Sequence, residues 1–228
     1  MLNAIDRDRI AEAVSKAEEG TSGEIVCVLA GEVSHYPEVA IAYAALAALV
    51  IPPLALALGL RPLAAISDAG VWMAAQAGAL ESEFSLGLGI YAAAQALLFI
   101  LVFLILEIPA VRRAVTPSPL KRHRVERSAH QQFASIAGHA EGSQTGVLIF
   151  VALEDHQVQI LADKKIHDRV GDPVWNKAVA AIGQAMKGGH DPTSGIVEAI
   201  DICGEALKAH FPDTDPHAQV FSNRPLEI

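Results

Sequence analysis

Cysteine is scarce in this chain: Cys27 and Cys203 are the only two among 228 residues. Neither belongs to a C-x-x-C pair or to another spacing typical of a metal site, which argues against a cysteine-based metal centre. Cys27 lies within the apolar run IVCVL, and Cys203 lies within a helical pattern. We therefore predict that both are small, buried core residues, the usual environment of a free cysteine.

Basic residues are also in short supply, with 17 Lys and Arg against 26 Asp and Glu and a net charge of −9. Because a surface that binds phosphates must be basic, this balance argues against nucleic acid as a partner. The sequence also lacks a P-loop, a dinucleotide-binding fingerprint and a nucleophile elbow. Any enzymatic activity would therefore depend on carboxylates and a metal ion, and whether the chain is an enzyme stays open.

Charge is missing from two long apolar stretches, Val39–Leu60 and Gly87–Ile108, except for Glu107 near the end of the second. Each stretch has about the length that a helix needs to cross ~30 Å of hydrocarbon. We therefore predict two transmembrane helices, residues 39–60 and 87–108, which makes the lipid bilayer a partner. Two spans without other ionisable groups offer no pathway for a solute, so a channel or carrier is not expected.

Three polar or helix-breaking residues interrupt these stretches. Pro52 and Pro53 lie in the middle of the first, where membrane helices tolerate proline if neighbours satisfy the carbonyl groups that it frees. Gln95 lies in the second, and its amide needs a partner in an apolar environment. We predict a hydrogen bond between the two helices rather than a role in transport.

Lysine and arginine are distributed unequally on the two sides of the apolar stretches. The loop between them, residues 61–86, contains Arg61 as its only Lys or Arg residue. A short helix is also predicted in this loop, over Ala69–Leu80. The positive-inside rule therefore predicts a two-span membrane protein with both termini in the cytoplasm. The basic residues that follow the second stretch are Arg112, Arg113, Lys121, Arg122, Arg124 and Arg127.

The flanking sequence predicts one split α/β domain. A single strand before the spans cannot be stable alone, so we expect it to join the strands of the β-hairpin that follows the spans. The domain would comprise residues 1–36 and 120–212, with 37–119 as a membrane insertion and 213–228 as a loose polar tail. The predicted elements are helix Asp6–Glu19, strand Glu24–Ala30, helix Lys121–His139, strands Thr145–Leu153 and Gln157–Ala162, and helices Asp172–Met186 and Gly195–His210.

A run of carboxylates follows the third strand, in the sequence DKKIHDRVGD. Asp163, Asp168 and Asp172 could bind Ca²⁺ or Mg²⁺, which require several oxygen ligands, and strand ends often carry sites in α/β folds. The alternative, which the sequence favours, is a solvated loop in which Asp172 caps the next helix. Glu154 and Asp155 are typical of a hairpin turn, and they would join a site only if Asp163 or Asp168 lies near them.

The segments TSGEIVCVLA and TGVLIFVALEDHQVQILADKKI, followed by a tryptophan-containing helix, resemble the TPM domain family. That family includes thylakoid lumen acid phosphatase, photosystem II repair proteins and many bacterial membrane proteins. The chain is most similar to bacterial members in which two transmembrane helices follow the first strand. The resemblance implies a small sheet sandwiched by helices and a location in a bacterial inner membrane.

Two functions are compatible with the resemblance. The first, which we favour, is a non-catalytic interaction or assembly and maintenance module with a membrane-protein partner. The second is an acid-phosphatase-like hydrolase that uses Asp163, Asp168 and their neighbours to hold Ca²⁺ or Mg²⁺. Neither the sequence nor the resemblance fixes the oligomeric state.

Overall fold

The computed structural model describes residues 3–31, 33, 36–59, 80–139, 145–188, 191–212 and 222–228. It divides into two units, which we call the sheet unit (Met1–His35 and Pro117–Ile228) and the apolar unit (Tyr36–Thr116). The elements are α1 (Ala4–Glu18), β1 (Gly23–Ala30), α2 (Pro37–Ala57), α3 (Leu80–Glu107), α4 (Pro109–Val115), α5 (Ser118–His139), β2 (Thr145–Ala152), β3 (Gln157–Ala162), α6 (Lys164–Val170), α7 (Asp172–Lys187), α8 (Pro192–His210) and β4 (Leu226–Glu227).

The described strands of the sheet unit form one mixed sheet in the order β3-β2-β1-β4. β1 pairs with β2 in parallel, from Gly23 opposite Thr145 to Ala30 opposite Ala152, and β2 pairs with β3 in antiparallel. This arrangement confirms that the first strand joins the later hairpin. The chain therefore leaves the sheet after β1, passes through the apolar unit and returns to form a strand beside the one it left.

Helices cover both faces of the sheet, which explains why β1 and β2 are continuous apolar runs rather than alternating ones. One face packs against α1, α7 and α8 in a core that includes both cysteines. Burial raises the pKa of the Cys27 and Cys203 thiols to about 12. On the other face, Phe150 and neighbouring β1 and β2 residues pack against Val125 and Ala129 of α5. The predicted sandwich of helices and sheet is confirmed.

The end of the tail differs from the sequence prediction. Leu226–Glu227 forms β4, which lies parallel to β1, whereas the sequence predicts a loose tail. The backbone N–H of Ile228 donates to the Leu29 carbonyl at 3.0 Å, and its carbonyl accepts from Gly31 at 3.3 Å. The outer edge of β1 needs such partners, but a two-residue strand has no periodicity that a sequence could show.

Two short helices also replace predicted irregular segments. The sequence predicts no helix where the structure has α4 and a loop where it has α6, and each of these helices has seven residues. Helices of this length contain too few turns for apolar periodicity to reveal them.

The sequence also predicts Asp172 as a helix cap, but Asp172 is the first residue of α7, and the cap position belongs to Gly171 at φ 78°. Of the predicted loop helix, only Leu80 is among the described residues.

Candidate functional site

The apolar helices α2 and α3 expose most of their large side chains. The segments Pro37–Ala55 and Leu88–Glu107 are long and apolar enough to cross a membrane. On α3, the exposed fractions of Leu97, Leu101 and Leu104 are 67%, 52% and 61%. A core helix of a soluble protein would bury such residues, since each stabilises the fold by ~1.5–3 kcal/mol when it is removed from water. This surface is therefore suited to contact with lipid or with another apolar surface.

The two apolar helices contact each other through small residues and one amide. Ala44 and Ala48 of α2 are buried, and small side chains of this kind allow close helix packing. The Gln95 side-chain nitrogen on α3 donates to the Ala48 carbonyl at 3.2 Å. In a regular helix, this carbonyl would accept from residue 52, but Pro52 has no N–H. Gln95 thus satisfies the acceptor that the proline frees, and the predicted hydrogen bond between the helices is confirmed.

We expect Gln95→Leu to destabilise the α2–α3 contact by ~0.6–2 kcal/mol, the range for such bonds in membranes. The measurement is denaturation by sodium dodecyl sulfate of the protein in mixed micelles. Pro52→Ala provides the matched test because it restores an N–H that can satisfy Ala48. In the Pro52→Ala background, the effect of Gln95→Leu should shrink. An equal loss in both backgrounds would show that the amide does not act through this carbonyl.

Asp163, the first of the predicted metal ligands, holds two strands together. Its carboxylate Oδ2 accepts from the Gly146 N–H at 3.0 Å, and its own N–H donates to the Gly146 carbonyl at 3.1 Å. It also occupies the cap position of α6, without a side-chain bond to that helix. This carboxylate therefore links the end of β3 to the beginning of β2.

Asp168 and Asp172 lie on helices rather than on the predicted loop. Asp172 Oδ1 lies 3.5 Å from the His167 Nε2 atom, and both side chains are more than half exposed. Asp168 is exposed on α6. Among the residues that the structure describes, no group of three or more His, Cys, Asp or Glu side chains could hold a metal ion. The structure does not gather the three aspartates, and metal binding by them stays a prediction.

The turn carboxylates lie at the other end of the hairpin. Glu154 and Asp155 connect β2 to β3, so the six residues of β3 separate them from Asp163. Asp155 is buried, and its Oδ2 accepts from the Val33 N–H at 3.3 Å. Glu154 and Asp155 thus occupy the predicted hairpin turn, and Asp163 does not lie near them. Asp155 instead attaches the turn to the segment through which the chain leaves β1.

Comparison with known proteins identifies the family of the second half of the sheet unit. Residues 112–206 match the family model of the TPM domain. The chain carries a TPM domain. Among solved structures, the BA42 protein from the psychrophilic bacterium Bizionia argentinensis aligns with 20% sequence identity and a TM-score of 0.54, over 100% of this chain and 95% of that chain. This likeness supports the fold alone, and no curated protein matches the chain.

The TPM match omits part of the sheet that the structure shows. It begins within α4 and ends within α8, so it includes β2 and β3 but neither β1 nor β4. Yet β1 lies between β2 and β4 and pairs with β2 along eight residues. The sheet that contains the matched strands therefore includes sequence from both sides of the apolar unit.

Helix α5 of the TPM domain carries several of the basic residues that indicate the membrane topology. Val125 and Ala129 are buried against the sheet. The Arg127 guanidinium lies 3.2 Å from the His123 ring nitrogen. The exposed side chains of this helix include a set that we call the basic face: Arg122, His123, Arg127 and His130.

Proposed function

We propose that α2 and α3 anchor this protein in a membrane and that its TPM domain acts there as an interaction or assembly module. The observation that carries the proposal is the large exposed apolar surface of α3, typified by Leu97 and Leu101. The hydrogen bond from Gln95 to the Ala48 carbonyl supports it further. In hydrocarbon, a freed carbonyl has no water to bond, so an internal donor is required.

The pairing of β1 with β2 supports an even number of membrane crossings. β1 precedes the apolar unit and β2 follows it, yet the two strands pair along eight residues. Both ends of the insertion must therefore lie on one side of the bilayer. The basic residues that follow α3, against Arg61 alone in the loop, favour the cytoplasm for that side. Reporter fusions at residue Ser67 and at the C-terminus test this orientation, and a cytoplasmic signal at Ser67 would overturn it.

The roles of the carboxylates favour a module without catalysis. Asp163 and Asp155 both accept backbone N–H groups and so hold segments of the sheet unit together. The part of the chain that the structure describes holds no ready cluster of metal ligands. We therefore propose that the TPM domain has a binding role toward a membrane-protein partner.

Affinity purification from native membranes tests the binding role. The full chain should retain a membrane protein that the apolar unit alone, residues 36–116, does not retain. If both retain the same proteins, binding belongs to α2 and α3 and not to the TPM domain. If neither retains any protein above an untagged control, the interaction role is rejected.

The alternative role, a hydrolase dependent on Ca²⁺ or Mg²⁺, is tested best at Asp168, which is exposed on α6. If the alternative is right, Asp168→Asn should weaken both the stabilisation by Ca²⁺ in a thermal melt and the phosphatase turnover. An unchanged metal response in this variant would remove the alternative.

Asp163→Ala is expected to destabilise the sheet unit by ~1–2 kcal/mol, because the Gly146 N–H loses its acceptor. This loss should be the same with and without Ca²⁺, as measured by chemical denaturation. Asp168→Asn is the matched control and should have little effect on stability without metal. A loss that occurs only in the presence of Ca²⁺ would instead make Asp163 a metal ligand.

A further inference from the structure

We propose that the basic face of α5 docks on the anionic headgroups of the bilayer that anchors α2 and α3. The TPM domain would then contact the membrane surface directly, in addition to its covalent connections to α2 and α3. This inference relies on the proposed membrane anchoring. The basic face consists of the exposed side chains of Arg122, His123, Arg127 and His130.

The charge of this region contrasts with that of the whole chain. Residues 112–130 contain six Lys and Arg residues and one acidic residue, Glu126, in a chain of net charge −9. The first turn of α5 has no acidic residue. This local excess of positive charge is suited to binding an external anion.

The arginines of the basic face also differ from other arginines in their partners. Elsewhere in the sheet unit, Arg9 contacts Asp191 at 3.0 Å, and Arg7 contacts Glu227 at 3.5 Å. Within the described ranges, Arg122 and Arg127 form no ion pair with an acidic side chain, although the chain has 26 Asp and Glu residues. Both arginines are exposed on α5 and are therefore available to an external anion.

The covalent connection limits how far the first residue of α5 can lie from the proposed anchor. Ten residues, 108–117, separate the end of α3 from the beginning of α5, and seven of them form α4. At ~1.5 Å per helical residue and ~3.3 Å per extended residue, they span at most roughly 20–25 Å. The basic face lies within the first 13 of the 22 residues of α5, the half nearer this connection. Since an anionic leaflet attracts basic segments beside a membrane helix, the bilayer is the occupant that the chain favours.

Fluorescence quenching of the full chain in vesicles tests the docking. A fluorophore is attached at Gln131→Cys, an exposed position on α5. The native cysteines are both buried in the core, which shields them from the label. Vesicles contain phosphatidylcholine with or without phosphatidylglycerol, together with a headgroup-labelled quenching lipid. Quenching should be stronger with phosphatidylglycerol and should fall as salt rises, because salt screens the attraction.

The variant Arg122→Gln/Arg127→Gln should lower the docked-to-undocked ratio roughly 30-fold, which corresponds to about 1 kcal/mol per basic residue. The matched control is Lys177→Gln/Lys187→Gln, which removes the same charge from exposed positions on α7 and should leave quenching unchanged. Equal quenching in both lipid mixtures, or equal loss in both variants, would overturn the docking. If the arginine variant keeps its quenching but loses a co-purifying protein, the face binds an acidic protein and the lipid proposal is wrong.

A separate measurement distinguishes failure of docking from failure of anchoring. Vesicles that carry the protein are washed with alkaline carbonate and floated on a density gradient. A chain that does not float is not anchored, and the proposed function then fails. A chain that floats but shows no dependence on phosphatidylglycerol is anchored without docking, which overturns this inference alone.

Discussion

Replacement of both Leu97 and Leu101 by arginine is expected to release the protein from the membrane. The two side chains are 67% and 52% exposed on α3, and they lie four residues apart, hence on the same side of the helix. An arginine near the centre of a membrane helix costs about 2.5–3.5 kcal/mol on the insertion scale. Two together remove roughly 6 kcal/mol or more, because the favourable contribution of each leucine is also lost.

The measurement is the fraction of protein that remains in the membrane pellet after extraction with alkaline carbonate. Leu97→Ala/Leu101→Ala is the matched control, because it shortens the same two side chains without introducing charge, and it should remain in the pellet. The arginine variant should move to the supernatant or fail to accumulate. If it stays in the pellet like the alanine variant, α3 does not lie in hydrocarbon, and its apolar surface is covered in another way.

The large apolar features of this chain could be predicted from the sequence, whereas short features could not. β1 and β2 are buried on both faces, so each is a continuous apolar run. Such a run can be predicted as a strand from its own residues, without knowledge of the strands that pair with it. The strand Leu226–Glu227 exists because the edge of β1 supplies hydrogen-bond partners, which is a tertiary effect. The same reasoning applies to α6, whose seven residues contain too little periodicity to separate a helix from a loop.

Prediction of candidate sites depended on whether the partner group was implied by the sequence. A proline frees the carbonyl four residues before it, so Pro52 identifies Ala48 as an acceptor, and Gln95 is the amide that meets it. No comparable rule connects Asp163 to Gly146, because that bond depends on the pairing of β2 with β3. Spacing alone grouped Asp163 with Asp168, and the structure shows that the former serves the backbone.

The family match and the structure predict different outcomes for shortened chains, and the difference should be large. A fragment that contains only residues 112–206, the matched region, lacks β1 and therefore exposes one long edge of β2. The β1 residues Ile25, Val28 and Leu29 are each at most 3% exposed. Loss of these and the other buried side chains of β1 removes about 10 kcal/mol at ~1.5–3 kcal/mol each. Since a domain is stable by only ~5–15 kcal/mol, the fragment should not fold.

A second variant provides the control, in which residues 1–35 are joined to residues 117–228 by a flexible linker of glycine and serine. This variant retains every described strand and both core clusters, so it should be soluble and unfold cooperatively in urea. The fragment should show no cooperative transition. Cooperative unfolding of the fragment would mean that β1 is dispensable to the TPM domain. Failure of the joined variant alone would mean that the apolar unit is needed for β1 and β2 to find each other, because their pairing spans the whole insertion.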